Sequence, residues 1–133
     1  MLRPKQTKYR KYRRGRLKKN LEYKANKLKF GTVGLQATER GFLTANQIEA
    51  GRRTITGHIK RAGKVFIRAF PDHPITSKPA EVRMGKGKGS VDYWVCKVKP
   101  GKILFEVAGK NPILIKQALK QVSLKLPMST KIL

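Results

Sequence analysis

The stretch from Arg83 to Ser90 reads Arg-Met-Gly-Lys-Gly-Lys-Gly-Ser, and no acid lies between Glu81 and Asp92. Glycine at every second position removes the Cβ, so backbone N–H groups can approach an oxyanion closely while Lys86 and Lys88 supply point charges. Phosphate contact is one reading of this pattern; a flexible, solvated loop is the other. It is not a Walker A loop, because no Gly-Lys-Ser or Gly-Lys-Thr stands at the required offset from an earlier Gly. Nor does Gly-x-Gly-x-Gly match the dinucleotide fingerprint.

Catalytic constellations are not evident. His58 and His73 lie far apart in sequence, and each has a plain structural place on a helix or in a loop. A single cysteine and dispersed carboxylates give a metal ion little to bind. Cys96 alternates with Val95 in a strand-like run, which suits a buried, inert thiol better than a nucleophile. Seven isolated acids form no acid–base pair. These features predict a protein that is not an enzyme, with no cofactor and no small-molecule substrate.

The charge balance narrows the partner. Across 133 residues, 32 Lys and Arg face seven Asp and Glu, a formal net charge of +25. Such a charge opposes compaction unless a polyanion neutralises it. The cations recur throughout the chain rather than forming one tail. Hydrophobic residues make up 39% of the total, enough for a core in a chain of one-domain length. No apolar run approaches the roughly 18–20 residues of a membrane span. The lone cysteine excludes an intramolecular disulfide framework and agrees with a reducing compartment.

The elements that must position these groups follow from periodicity. Residues 1–29 carry Arg3, Lys5, Lys8, Arg10, Lys11, Arg13, Arg14, Arg16, Lys18 and Lys19 against the single acid Glu22. This arm has too little apolar surface to order alone. Tyr9, Tyr12 and Tyr23 are interleaved in it, placed either to stack on RNA bases or to anchor the arm to the core. A glycine-weakened strand is expected over Phe30–Thr38. Thr44 and Gln47 form a capping box that opens a helix with Ile48, Ile55, Ile59 and Ala62 on one stripe, closing near Gly63. Arg53 and Lys60 point off that stripe.

Lys64–Phe70 alternates as a strand, and Pro71, Pro74 and Pro79 predict a stiff, extended loop. Val91–Val98 and Lys102–Ala108 flank Pro100-Gly101 as a hairpin, with Trp94, Tyr93 and Phe105 expected mostly in the core. Asn111 and Pro112 start a second helix whose buried face is Ile115, Ala118, Leu119, Val122 and Leu126. Pro127 stops it, and Ser129–Leu133 forms a short edge strand. The expected fold is α+β: an antiparallel β sandwich or barrel-like sheet over residues 30–133, two packed helices and a basic extended N-terminal arm.

Several strings together resemble the bacterial-type large-subunit ribosomal protein L-sixteen family. They are Met1-Leu2-Arg3-Pro4-Lys5, Thr44 through Arg53, Phe70-Pro71-Asp72, Lys78 through Gly89, Tyr93-Trp94-Val95, Lys99-Pro100-Gly101-Lys102 and Lys125-Leu126-Pro127. These pieces are collinear and span nearly the whole chain. The chain departs from the family's usual pattern in the Lys- and Asn-rich Leu21–Lys29 and in Ile113–Gln121, which lacks acids.

The resemblance implies a structural ribosomal component. Its partners would be large-subunit rRNA, tRNA at the aminoacyl (A) site and neighbouring ribosomal proteins, with no membrane. By that likeness the arm cations, together with Arg52, Arg53 and Lys60, contact rRNA. The loop of Arg83, Met84, Gly85, Lys86, Gly87, Lys88 and Gly89 reaches toward the tRNA site. The start resembles that of mature family members rather than a transit peptide. The form of Pro79–Gly89 and the pair Gly57-His58 resemble mitochondrial members, which points to the mitochondrial matrix, with bacterial cytoplasm or plastid stroma as alternatives. Charge alone also allows a free-standing RNA-binding protein or RNA chaperone. A cationic membrane-active protein is disfavoured, because the arm lacks an apolar face.

Overall fold

A computed structural model describes residues 2–17 and 19–133; Met1 and Lys18, both in the expected arm, lie outside the described residues. The chain forms β1 (Val33–Ala37), β2 (Gly41–Thr44), α1 (Ala45–His58), β3 (Gly63–Ile67) and β4 (His73–Ser77). It continues through β5 (Ser90–Val98), β6 (Ile103–Gly109), α2 (Pro112–Ser123) and β7 (Thr130–Ile132). The strands make two antiparallel sheets, β3-β6-β1-β7 and β2-β5-β4. The helices pack on each other, α1 also against β3 and α2 against β1. This is the expected α+β architecture, with two sheets and two helices.

The core forms where apolar residues of the four-stranded sheet meet the helices. Leu35, Val107 and Phe105 from the strands pack with Ile48, Ile55, Leu119 and Val122 from the helices, all buried. Close approach depends on Gly51: a Cβ there would stand 2.7 Å from Cζ of Phe105. Thr44 caps α1 through the predicted box, with Gln47 N donating to its hydroxyl and Thr44 N donating to the Gln47 side chain. Asn111 accepts from the N–H groups of Ile113 and Leu114 at the start of α2.

The helix α2 ends at Ser123, which leaves the half-buried Leu126 outside it, and four further expectations change. The helix α1 stops at His58, and Lys60 and Arg61 take positive φ values of 48° and 64° before Gly63 begins β3. β2 is a strand the sequence pattern did not mark. The proline-rich stretch contains β4, which pairs with β5 through His73↔Val95 and Pro74↔Trp94. Pro74 is tolerated because β4 is a sheet edge, where a missing N–H breaks no ladder.

The fourth change is that β5 and β6 do not form a hairpin. Lys102 N donates to the Lys99 carbonyl at 3.2 Å across the turn, and Gly101 has φ +87°. Pro then Gly at the central positions is type II chemistry. Such a turn splays its flanking strands instead of matching their twist. Accordingly β5 enters one sheet and β6 the other.

Before Val33 there is no helix or strand among the described residues. The segment is nevertheless tied to the sheets. Glu22 N donates to the Pro100 carbonyl (2.9 Å), Ala25 accepts from Ile103 N (2.8 Å), and Gln36 Nε2 donates to the Asn26 carbonyl (3.3 Å). Leu2 packs against the core.

Candidate nucleic-acid interface

The glycine-lysine segment connects β4 to β5, and residues 78–88 are exposed throughout. Met84 stands almost wholly in solvent, 97% exposed. Gly85, Lys86 and Gly87 follow one another with φ of +87°, +55° and +85°. The two glycines have open space around them, so they serve backbone conformation rather than packing. At Gly89 the reason is steric: a Cβ there would collide with the Ser77 carbonyl oxygen. Two lysines brace the loop from outside. Lys78 Nζ donates to the Gly85 carbonyl (2.5 Å), and Lys11 Nζ of the arm donates to the Lys88 carbonyl (2.9 Å). Lys86 makes no hydrogen bond or ion pair with the described residues.

Arm cations Arg3, Lys5, Lys8, Arg10, Lys11, Arg13, Arg14 and Arg16 are all exposed. Arg3, Lys5 and Arg10 edge a cavity shared with Val91 and Trp94 of β5. The Arg14 guanidinium lies over the Phe42 ring of β2 at 5.7 Å, and Arg40 donates to the Leu17 carbonyl at 2.8 Å. Tyr12 faces His73 of β4 with ring centroids 5.9 Å apart, and Tyr9 meets Tyr12 edge-on. Tyr12 therefore touches the domain while keeping a solvent face, and Tyr23 is exposed. Of the β5–β6 aromatics only Phe105 is core; Trp94 is half-buried and Tyr93 exposed.

On α1, Arg52 and Arg53 converge on a carboxylate the sequence reading passed over. Arg52 holds Glu49 with two contacts (Nη2 to Oε1 2.7 Å, Nε to Oε2 2.9 Å), and Arg53 Nε adds a third (3.0 Å). The Arg52 hydrogen bonds, then that of Arg53, lower the Glu49 pKa from 4.5 to about 2. Spacings of three and four residues on one helix face bring these side chains together. Lys60 is exposed just beyond the helix. A cavity edge brings Arg53 and Glu49 beside Leu2 of the arm and Lys125.

Two further groups escaped the sequence reading. Glu106 in β6 is fully buried, and its Oε2 accepts from the N–H groups of Lys29 (3.1 Å), Phe30 (2.6 Å) and Gly31 (2.9 Å). Its Oε1 pairs with Arg68. Burial pushes its carboxyl up, but the three backbone donors and Arg68 outweigh that and bring it below the ordinary value. The Arg68 guanidinium also lies 5.2 Å from the Phe30 ring, which stacks on Phe66. His73, 8% exposed, has its Nε2 buried without a partner among the described residues.

Cys96 is buried, with Lys102 Nζ 3.5 Å from its sulfur, and burial pushes its thiol up. That is the environment of an inert thiol. No group of three His, Cys, Asp or Glu capable of holding a metal occurs among the described residues. No helix among them is long and apolar enough to cross a membrane.

Comparison with known proteins supplies the deciding observation. The family described as ribosomal protein L16p/L10e matches residues 4–133. The chain belongs to that family. It is 57% identical over 132 residues to the large ribosomal subunit protein uL16 of Acinetobacter baylyi, covering 99% of this chain and 96% of the relative. The uL16 of Acinetobacter baumannii is 55% identical with the same coverage. That of Francisella tularensis subsp. holarctica is 55% identical over 130 residues, covering 98% and 94%.

Membership of the L16p/L10e family makes this a structural ribosomal protein and not an enzyme. The relatives are bacterial, and they lend no support to the mitochondrial matrix suggested by Gly57-His58 and the form of Pro79–Gly89. The exposed glycine-lysine loop and the cation-rich arm are thus features of an L16p/L10e protein.

Proposed function

We propose that this L16p/L10e member binds large-subunit rRNA and helps shape the aminoacyl-tRNA site during translation. Arg3, Lys5, Lys8, Arg10, Lys11, Arg13, Arg14 and Arg16, with Arg52, Arg53 and Lys60, are assigned to rRNA phosphates. Arg83 through Gly89 is assigned to the tRNA side. The observation that carries this division is the loop itself: exposed from Arg83 to Lys88, in backbone conformations favouring glycine at residues 85–87, and braced through its carbonyls by Lys78 and Lys11. Bracing through carbonyls leaves N–H groups and the Lys86 ammonium available to an anion. Partners on this reading also include neighbouring ribosomal proteins. The compartment follows the relatives, a bacterial cytoplasm.

Replacing Lys86 and Lys88 by Ala is expected to impair translation by purified ribosomes severalfold while incorporation into large subunits stays near normal. Equal loss of both would make the loop an assembly anchor instead. The net charge of +25 also suits a free-standing RNA chaperone. Retention on large-subunit RNA at moderate salt, without retention on random RNA, separates the two.

A further inference from the structure

Between the arm and the three-stranded sheet lies a cavity of about 570 Å³ lined by Tyr12, Arg13, Phe70, His73, Lys97 and Lys102, with Arg68, Asp72 and Cys96 completing its wall. Arg68 is committed to Glu106. Arg13, Lys97 and Lys102, whose Nζ also contacts the Cys96 sulfur at 3.5 Å, line the space as cations against the one carboxylate of Asp72. Tyr12 and Phe70 line the same space and are 39% and 47% exposed, so both rings offer a face. His73 lies under Tyr12 with its Nε2 unpartnered among the described residues. Three cations, two exposed rings and a buried orphan imidazole nitrogen converge on one volume of ligand size.

We propose that this cavity is a subsite for a single unstacked nucleotide, its base against Tyr12 and Phe70 and its phosphate on Arg13, Lys97 and Lys102. Aromatic faces accept any base by stacking, and charge-assisted hydrogen bonds hold a phosphate. His73 lines the same space with Tyr12 against it, so its imidazole lies beside the ligand. Asp72 offers an acceptor to a ribose hydroxyl or an exocyclic amine. The inference deepens the RNA-binding reading and rests on it only for the source of the nucleotide: an unpaired residue of RNA or a free nucleoside phosphate offers the same chemistry.

His73 reports on occupancy. Its pKa is lowered by burial first, then by Lys97 and Lys88, with Asp72 opposing; Tyr12 of the arm packs against it, and Arg13 lines the same cavity. An anion beside it favours the charged imidazolium, opposing Lys97 and Lys88, and raises the pKa. The chain has one other histidine, His58, exposed at the end of α1, which serves as an internal control.

The test is a nuclear magnetic resonance titration of the full-length protein with adenosine 5′-monophosphate and with inorganic phosphate. The expected result is a rise in the His73 pKa with AMP, little change at His58, and upfield shifts of the Tyr12 and Phe70 ring signals. Phosphate is expected to move His73 alone and at higher concentration. Lys97→Ala, an exposed position, is expected to weaken AMP roughly tenfold, and Tyr12→Leu to abolish its advantage over phosphate.

An RNA hairpin with one bulged adenosine and its fully paired counterpart identify the source. Displacement of AMP by the bulged hairpin alone assigns the site to RNA; displacement by neither assigns it to a free nucleotide. His58 and His73 responding in parallel, or AMP matching phosphate with unmoved ring signals, would overturn the proposal. Retention of the wild-type chain on large-subunit RNA is measured separately, so failure there counts against the RNA-binding reading and not against the subsite.

Discussion

Glu106 shows how a single residue roots the arm to the fold. It lies among apolar neighbours in a central strand, and its backbone partners stand 75 to 77 residues earlier. Glu106→Ala is expected to cost about 3–5 kcal/mol, because it leaves Arg68 and three N–H groups without their acceptor. Glu106→Gln should cost less, since an amide oxygen still accepts. The folded-state pKa lies below the ordinary carboxylate value, so this contribution is present in full above the unfolded pKa and fades as pH falls through the folded one. Glu49 adds a smaller contribution, screened by solvent, that is lost as pH falls from 4.5 to about 2. Urea midpoints from pH 7 down to pH 3 check this: the wild type should lose stability and the Ala variant should lose less. A flat wild-type profile would contradict the assignment. Nothing in the order of residues marked Glu106, whereas the Thr44–Gln47 box was legible because its partners are three residues apart.

Elements were legible where the signal is local and hidden where it depends on pairing. Both helices follow from caps and apolar spacing, and the sequence pattern also marked the strands at β1, β3, β5, β6 and β7. The Pro100-Gly101 turn was likewise marked, but which sheet each flanking strand joins is decided by partners far away in sequence. Type II geometry at that turn, rather than the primed types of hairpins, is the physical hint that the strands part. Gly101→Ala is therefore expected to destabilise by about 1–2 kcal/mol through its φ of +87°, measured as a lowered denaturation midpoint. An unchanged midpoint would mean that the turn adopts another conformation at no cost. The β4 strand was concealed by Pro74, which forbids a central strand but not an edge. In the candidate site, the glycine-lysine loop was legible from composition alone. The convergence of Tyr12, His73 and Lys97 was not, since it needs the arm folded back on the sheet.

At the scale of the whole molecule, +25 net charge acts on stability and on binding in opposite senses. Added salt screens self-repulsion, so the thermal midpoint of the free protein should rise between low and physiological ionic strength. Affinity for RNA should fall over the same range, with a log–log slope of about −0.7 to −0.9 per phosphate neutralised. Replacing Lys86 and Lys88 by Ala should flatten that slope by about 1.4 to 1.8 if each meets a phosphate. A thermal midpoint that fell with salt would show that attractive surface pairs outweigh repulsion.

The strand β5 begins where the glycine-lysine loop ends, and its nine residues run to the turn that leads into β6 and Glu106. At about 3.3 Å per residue it is a bar some 30 Å long. β4 pairs with its first half and β2 with its second, the two meeting at Val95. The end of the loop and the Pro100-Gly101 turn are thus held apart by a gauge of set length. Inserting or deleting one residue in β5 would turn the side chains beyond the change to the opposite faces and also alter the span from loop to turn.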